Sequence, residues 1–282
     1  MSIVSASGSV KKLLGALEQG RSGATVEYQL PLGEQHVPLN ELLGKSIRLQ
    51  ALGDIHCLHC ARRTKKSYSQ GYCYPCFIKL PQCDLCIMSP ERCHYELGTC
   101  RDPAWGEQFC MTDHIVYLAN SSGPKVGITR ATQLPTRWID QGASQGLPIM
   151  RVSARQHSGL LEDLLRKQVA DKTNWRKLLR GEPEPMDLKA LRDNLLEGAR
   201  EGIDALHSRY GLQAFQPLND AQALDIRYPV LEYVEKPKSA NLDKEPVLEG
   251  TLLGIKGQYL LLDTEVINIR KYTAYNMAFS VH

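Results

Sequence analysis

Nine cysteines fall between Cys57 and Cys110, and none lies elsewhere in the 282 residues. Four of them form two Cys-x2-Cys pairs, Cys57 with Cys60 and Cys73 with Cys76, separated by twelve residues. Two intervening residues let both thiolates of a pair turn toward one ion. Two such pairs supply the four ligands of a tetrahedral zinc site with no open position, which makes the site structural rather than catalytic. An iron–sulfur cluster is the lesser alternative for the same ligands. In a reducing compartment a cluster of this kind serves metal more often than disulfides, and the odd count argues against complete pairing.

The other cysteines leave the membership of a second site open. Cys93, Cys100 and Cys110 with His114 offer three thiolates and an imidazole. Cys83 and Cys86 make a third pair with ligand spacing and can replace two of these, and cysteines incidental to the first site are the remaining reading. Zinc or redox sensing through that surplus pair is a further option. Between the first two pairs lie Arg62, Arg63, Lys65 and Lys66, with Tyr68, Tyr72 and Tyr74 nearby. Basic groups neutralise phosphates and tyrosines stack on unpaired bases. The same residues also suit a solubilising loop over aromatic packing. Net charge is only +3, but its distribution is uneven. Lys125 to Arg180 holds eleven Lys or Arg against four Asp or Glu, and Gly181 to Glu249 eight against fourteen. A basic stretch followed by an acidic one points to a localised anion-binding face, or to two solvated surfaces.

These residues need elements to position them. Residues 1–55 read as a β-rich part, with Val26, Tyr28 and Leu30 alternating and Ser46 to Leu52 alternating again. Residues 11–18 are compatible with helix or strand. Residues 56–112 form the cysteine module, rich in Pro, Gly and aromatics and without a sustained period, so metal must hold it. Residues 113–180 read as a compact α/β unit. In it, Ile115 to Leu118 and Lys125 to Ile128 pair as a hairpin, a helix follows near Leu134 to Gln141, and Ile149 to Val152 is a third strand. A second helix begins at Ser158 as N-cap. Asp171 to Arg176 caps a helix end and packs Trp175; a nucleic-acid contact through Lys172 and Arg176 has no spacing rule behind it. Residues 181–243 are a helical segment, with Leu188, Leu191, Leu195, Ile203, Leu206 and Tyr210 near one face of a single long helix. Residues 244–282 return to strands and are expected to pack with 1–55. No run is long and apolar enough to span a membrane, and Met1 to Leu17 lacks a basic start followed by an apolar stretch, so a cytoplasmic protein is expected.

Within the α/β unit, Ile115-Val-Tyr117, Lys125-Val-Gly-Ile-Thr129, Arg137 and Glu162 occur in that order. This set resembles the GIY-YIG nuclease superfamily, over about residues 113–170. The form with Lys125 is similar to a branch in which lysine stands where many members have the tyrosine of the second motif. The chain as a whole resembles an uncharacterised bacterial family, a domain of unknown function, that joins cysteine knuckles to such a core. The resemblance implies roles. Arg137 would stabilise charge on a phosphodiester under attack, Glu162 would hold Mg2+ or Mn2+ that activates water, and Tyr117 would accept the proton. Lys125 would bind phosphate, Arg130 belongs to the basic face, and Gly127 lets the strand backbone approach closely.

The expected fold class is α+β: a GIY-YIG-like core, a cysteine-rich zinc module and a β-rich domain formed by both termini. The expected function is that of a zinc-containing nucleic-acid-binding protein, one zinc or two per chain, with metal-dependent phosphodiester cleavage as the chemistry the resemblance implies. The alternative is a non-catalytic binding or assembly platform, for RNA, DNA or protein, with a degenerate core.

Overall fold

The computed structural model describes residues 5–20, 23–169 and 174–282. Of the expected polar cluster after the second helix, residues 171–173 lie outside that range. In chain order the strands β1 (Ser5–Ser9), β2 (Leu14–Gly20), β3 (Gly23–Leu32), β4 (Gln35–Pro38) and β5 (Ser46–Ile55) come first. Helices α1 (Tyr74–Lys79) and α2 (Pro103–Phe109) punctuate the cysteine segment. Then follow β6 (His114–Asn120), β7 (Pro124–Arg130), α3 (Thr136–Asp140), β8 (Gln145–Val152), α4 (Arg155–Leu165) and α5 (Trp175–Leu178). Helices α6 (Leu188–Gly198) and α7 (Arg200–Tyr210) precede β9 (Phe215–Pro217), β10 (Leu224–Asp225), β11 (Val247–Lys256), β12 (Tyr259–Leu262), β13 (Val266–Asn268) and β14 (Tyr275–Val281). The described residues make a mixed α/β protein with three antiparallel sheets. One has the order β1-β14-β5-β11-β12-β13, one β10-β8-β6-β7 with β9 also on β8, and one β2-β3-β4. Among the described residues no helix is long and apolar enough to cross a membrane.

Strand β6 is the hinge of the packing. All seven of its residues are buried, which a strand achieves only when its sheet is covered on both faces. Successive side chains point to opposite faces. Ile115, Tyr117 and Ala119 therefore join the apolar cluster of the terminal strands, while Val116 and Leu118 join a second cluster with Leu161 of α4 and Leu195 of α6. β3 shows the same alternation, with Val26, Tyr28, Leu30 and Leu32 buried in the first cluster. Residues 14–20 take the strand form of the two open to them, paired to β3 from Leu14↔Gln29 to Gly20↔Gly23.

Two helix expectations change. The expected long helix is two, because Ala199 leaves the helical region at φ −105°, ψ 6°. The break follows Gly198, a residue type of low helix propensity. Helix α4 starts at Arg155, not after Ser158. Its first amide donates to the Cys110 carbonyl at 2.7 Å, so a tertiary partner replaces the side-chain cap that marks a helix start in sequence. Ser158 lies buried inside the helix and its Oγ donates to the Arg155 carbonyl. Farther on, Asn174 caps α5 by accepting from the amides of Arg176 and Lys177, and Trp175 stacks on Tyr259 at 6.3 Å.

Candidate metal centre and basic cleft

Strand β5 ends at Ile55 and delivers Cys57 into a tight turn, where the Cys57 amide donates to the Arg62 carbonyl and the Ala61 amide donates to the Cys57 carbonyl. Cys73 is the N-cap of α1 and Cys76 lies in its first turn. The turn and the helix start place the sulfurs of Cys57, Cys60, Cys73 and Cys76 within 4.8 Å of one another, with Cys60 and Cys73 at 3.7 Å. Four ligands about 2.3 Å from a tetrahedral zinc ion stand about 3.8 Å apart, so this set can hold a zinc ion with little movement. Burial pushes the Cys57 thiol up, but amides of Cys73, Cys60 and His59 outweigh it and bring its pKa down to about 6. Burial, then hydrogen bonds to Cys73, Cys60 and Cys57, push Cys76 up to about 12. One thiolate thus forms readily and its neighbours resist a second charge, a resistance that a bound cation removes.

Of the basic loop between the pairs, Arg62, Arg63, Lys65 and Lys66 are all exposed. Arg63 pairs with Asp54 at 2.7 Å, and the Lys66 ammonium sits 5.3 Å from the Tyr68 ring. Tyr68 packs on Phe77 and Tyr74 at centroid distances of 5.6 and 5.5 Å.

A cleft of about 510 Å³ opens beside the β6–β7 hairpin. Among the described residues six cations line it, Lys12, Lys125, Arg130, Arg137, Arg155 and Arg270, against two carboxylates, Asp140 and Glu162. Asp140 is taken up by Lys12 at 2.5 Å and by the Gln258 amide at 3.0 Å. Lys125 is nine-tenths buried, and both it and Glu162 have partners. Arg155 is largely buried, and its guanidinium donates to the Ile87 carbonyl at 2.6 Å.

Tyr117 is fully buried behind Gly127 of the cleft wall and does not itself line the cleft. It lies opposite Gly127 in the β6–β7 register. A Cβ added to Gly127 would stand 2.6 Å from the Tyr117 hydroxyl, so only glycine leaves room for the phenol there. The hydroxyl donates to Gln141 Oε1 at 3.1 Å. Burial raises the Tyr117 pKa, an effect that Arg137 beside it and the Gln141 bond only partly offset. Gly159 also marks a close approach: a Cβ there would meet the Glu91 amide nitrogen at 2.6 Å. Helix α4, which carries Arg155 and Glu162, is thereby seated directly on the cysteine segment.

Lys125, Arg130, Arg137 and Glu162 thus meet in one cleft, with Tyr117 behind it. The basic loop at 62–66 is not among its walls. Cys93, Cys100 and Cys110 line one small cavity that His114 does not reach, and no three of these four bring their ligand atoms within 4.8 Å of one another. His114 is fully buried in β6, with Nδ1 on the Thr112 carbonyl at 2.7 Å, and burial lowers its pKa to about 4. The residues that sequence reasoning missed are Lys12, Arg155 and Arg270. Arg155 and Glu162 are seven apart, two helical turns along one face, and that spacing was the available signal. Lys12 and Arg270 come from distant parts of the chain and carry no local signal.

No curated protein matches this chain, and no solved structure does. A family model described as "Protein of unknown function (DUF2797)" matches residues 44–277, which takes in the cysteine segment and nearly all of the cleft. With most of its length so matched, the chain belongs to the DUF2797 family of proteins of unknown function.

Proposed function

We propose that the cleft binds the phosphodiester backbone of a nucleic acid, and that Cys57, Cys60, Cys73 and Cys76 hold a structural zinc ion at the start of the segment whose residues Ile87, Met88 and Pro90 line the cleft. The observation that carries this reading is the convergence of six cations, drawn from three distant parts of the chain, on one concavity with two carboxylates. Guanidinium groups match phosphate with paired donors, and a concave basic wall concentrates the field. The sequence resemblance to GIY-YIG nucleases supports the same substrate class.

Cleavage is the second reading, and Arg137 together with Glu162 favours it, because an arginine and a carboxylate face the same space. Glu162 would hold Mg2+ or Mn2+, which keeps several waters and needs only one or two carboxylates besides substrate oxygens. Such an ion supplies an activated water and charge neutralisation at the phosphate. Arg137 would meet the charge that grows on the non-bridging oxygens. Tyr117 fits less well as proton acceptor, since its hydroxyl is buried and donates to Gln141.

Binding is tested by fluorescence anisotropy of a labelled oligonucleotide with the zinc-loaded full chain. If four to six phosphates are neutralised, affinity should fall about a hundredfold or more between 50 and 200 mM salt. Arg130→Ala with Arg270→Ala should weaken binding across sequences and lower the salt slope by about two. Equal affinity at both salt concentrations, or an unchanged slope in the double variant, would contradict the reading.

A further inference from the structure

Away from the four-cysteine centre and the cleft, the segment from Pro81 to Cys110 encloses a second, smaller cavity of about 20 Å³, room for one water-sized body. Cys86, Cys93, Cys100 and Cys110 line it, together with Asp84 and His94. The nine cysteines then divide into four at the first centre, four here, and Cys83, which is buried and belongs to neither group.

The segment has little else to hold it. No residue from 52 to 114 joins any of the three apolar clusters. Its backbone is a series of single turns, Pro81–Cys83, Leu85–Ile87 and Pro90–Arg92, followed by the short helix α2. Cys86 lies in the second of these turns, Cys93 closes the third, and Cys110 closes α2. The Cys100 sulfur lies 3.5 Å from where a Cβ on Gly106 would stand, one helical turn before Cys110. The second turn, the third turn, the stretch before α2 and the end of α2 therefore each present one thiol to the same small space. A folded chain without apolar burial needs a cross-link, and the first centre reaches only as far as Cys76.

We propose that Cys86, Cys93, Cys100 and Cys110 hold a second zinc ion in this cavity, with the Arg155 guanidinium as the neighbouring cation. The Arg155 backbone amide donates to the Cys110 carbonyl at 2.7 Å and its guanidinium to the Ile87 carbonyl at 2.6 Å, next to Cys86, and its buried Nε has no hydrogen-bond partner among the described residues. A fixed cation offsets the excess negative charge of four thiolates on one divalent ion. Thiolates are also the donors that select zinc. The competing set is Asp84, Cys86 and His94, whose ligand atoms lie within 4.8 Å of one another. There Asp84 already accepts from Arg101 at 2.6 Å and from the Cys86 amide; no three of the four thiols stand as close together as that set, so they would close on the ion as it binds. That set also leaves three thiols facing the cavity without a role. His114 is outside the ligand set, because it does not line the cavity. The second ion would fix the segment on which α4 sits, and so the wall of the cleft that bears Arg155; its existence does not depend on what the cleft binds.

The test is metal analysis with zinc X-ray absorption on freshly prepared, reduced, full-length protein. Two zinc ions per chain are expected, with a first shell of sulfur at about 2.3 Å and no nitrogen or oxygen. Cys93→Ser and Cys100→Ser should each lose one zinc and keep the other, whereas Asp84→Asn, His94→Gln and His114→Gln should keep both. Fewer than two zinc ions per chain would overturn the proposal. So would a nitrogen or oxygen scatterer in the first shell, or zinc lost on His94→Gln or His114→Gln but retained in Cys93→Ser. The absorption measurement uses the unaltered chain, so it decides the matter even where a serine variant fails to fold.

Discussion

Cys73→Ala is expected to release the zinc ion of the first centre and to unfold the segment around it. Cys73 is buried, caps α1 through its backbone and lies 3.7 Å from the Cys60 sulfur. Removing it leaves three thiols and an open position. The segment cannot compensate by packing, since residues 52–114 contribute nothing to the three apolar clusters. Metal binding in such modules is folding free energy, of the order of 10 kcal/mol or more at neutral pH. The expected result is loss of one zinc per chain with rapid proteolysis between Leu58 and Leu80. The sheets should stay resistant, because their clusters draw on other parts of the chain. Acid should act in the same direction, as thiolates that ligate the ion take up protons. A variant that keeps its full zinc content and an unchanged cleavage pattern would show that these four cysteines are not a metal centre.

The second large effect belongs to the cleavage reading and concerns any turnover on a nucleic-acid substrate with added Mg2+ or Mn2+. Arg137→Ala and Glu162→Gln should each reduce it by about a hundredfold or more, the usual cost of losing one preorganised charge partner at the reacting group. Ground-state binding should change much less, because five other cations line the same cleft. Glu162→Gln should also remove the dependence on the added ion. Zinc on the cysteines should not substitute, since a thiolate-saturated ion has no open position. Cleavage that survives both substitutions would place the chemistry elsewhere. If the unaltered protein cleaves neither DNA nor RNA with either ion, the cleft is a binding platform.

Some of this was legible in the sequence because the physics is local. Two Cys-x2-Cys pairs constrain their own sulfurs, and the structure gathers those of Cys57, Cys60, Cys73 and Cys76 into one cluster. Alternation at Val26, Tyr28 and Leu30 reports a half-buried strand, and β3 is one. Other features are decided by distant partners. Helix α4 begins where Cys110 offers a carbonyl to Arg155, so Ser158 misleads. The apolar stripe from Leu188 to Tyr210 has no signal strong enough to announce the break at Ala199. The thiols of the second cysteine group are grouped by turns at Leu85–Ile87 and Pro90–Arg92, which spacing alone does not specify. The cleft is the extreme case, because Lys12 and Arg270 reach it from opposite ends of the chain.

The most direct test of the cleft as a nucleic-acid site is cross-linking of an oligonucleotide carrying 4-thiouridine to the zinc-loaded full chain, with adducts located by mass spectrometry. Adducts are expected on peptides spanning 125–141 and 155–162 and on the peptide containing Arg270, and they should disappear as salt is raised. Adducts confined to residues 62–66, or none beyond those formed by an acidic control protein, would contradict it.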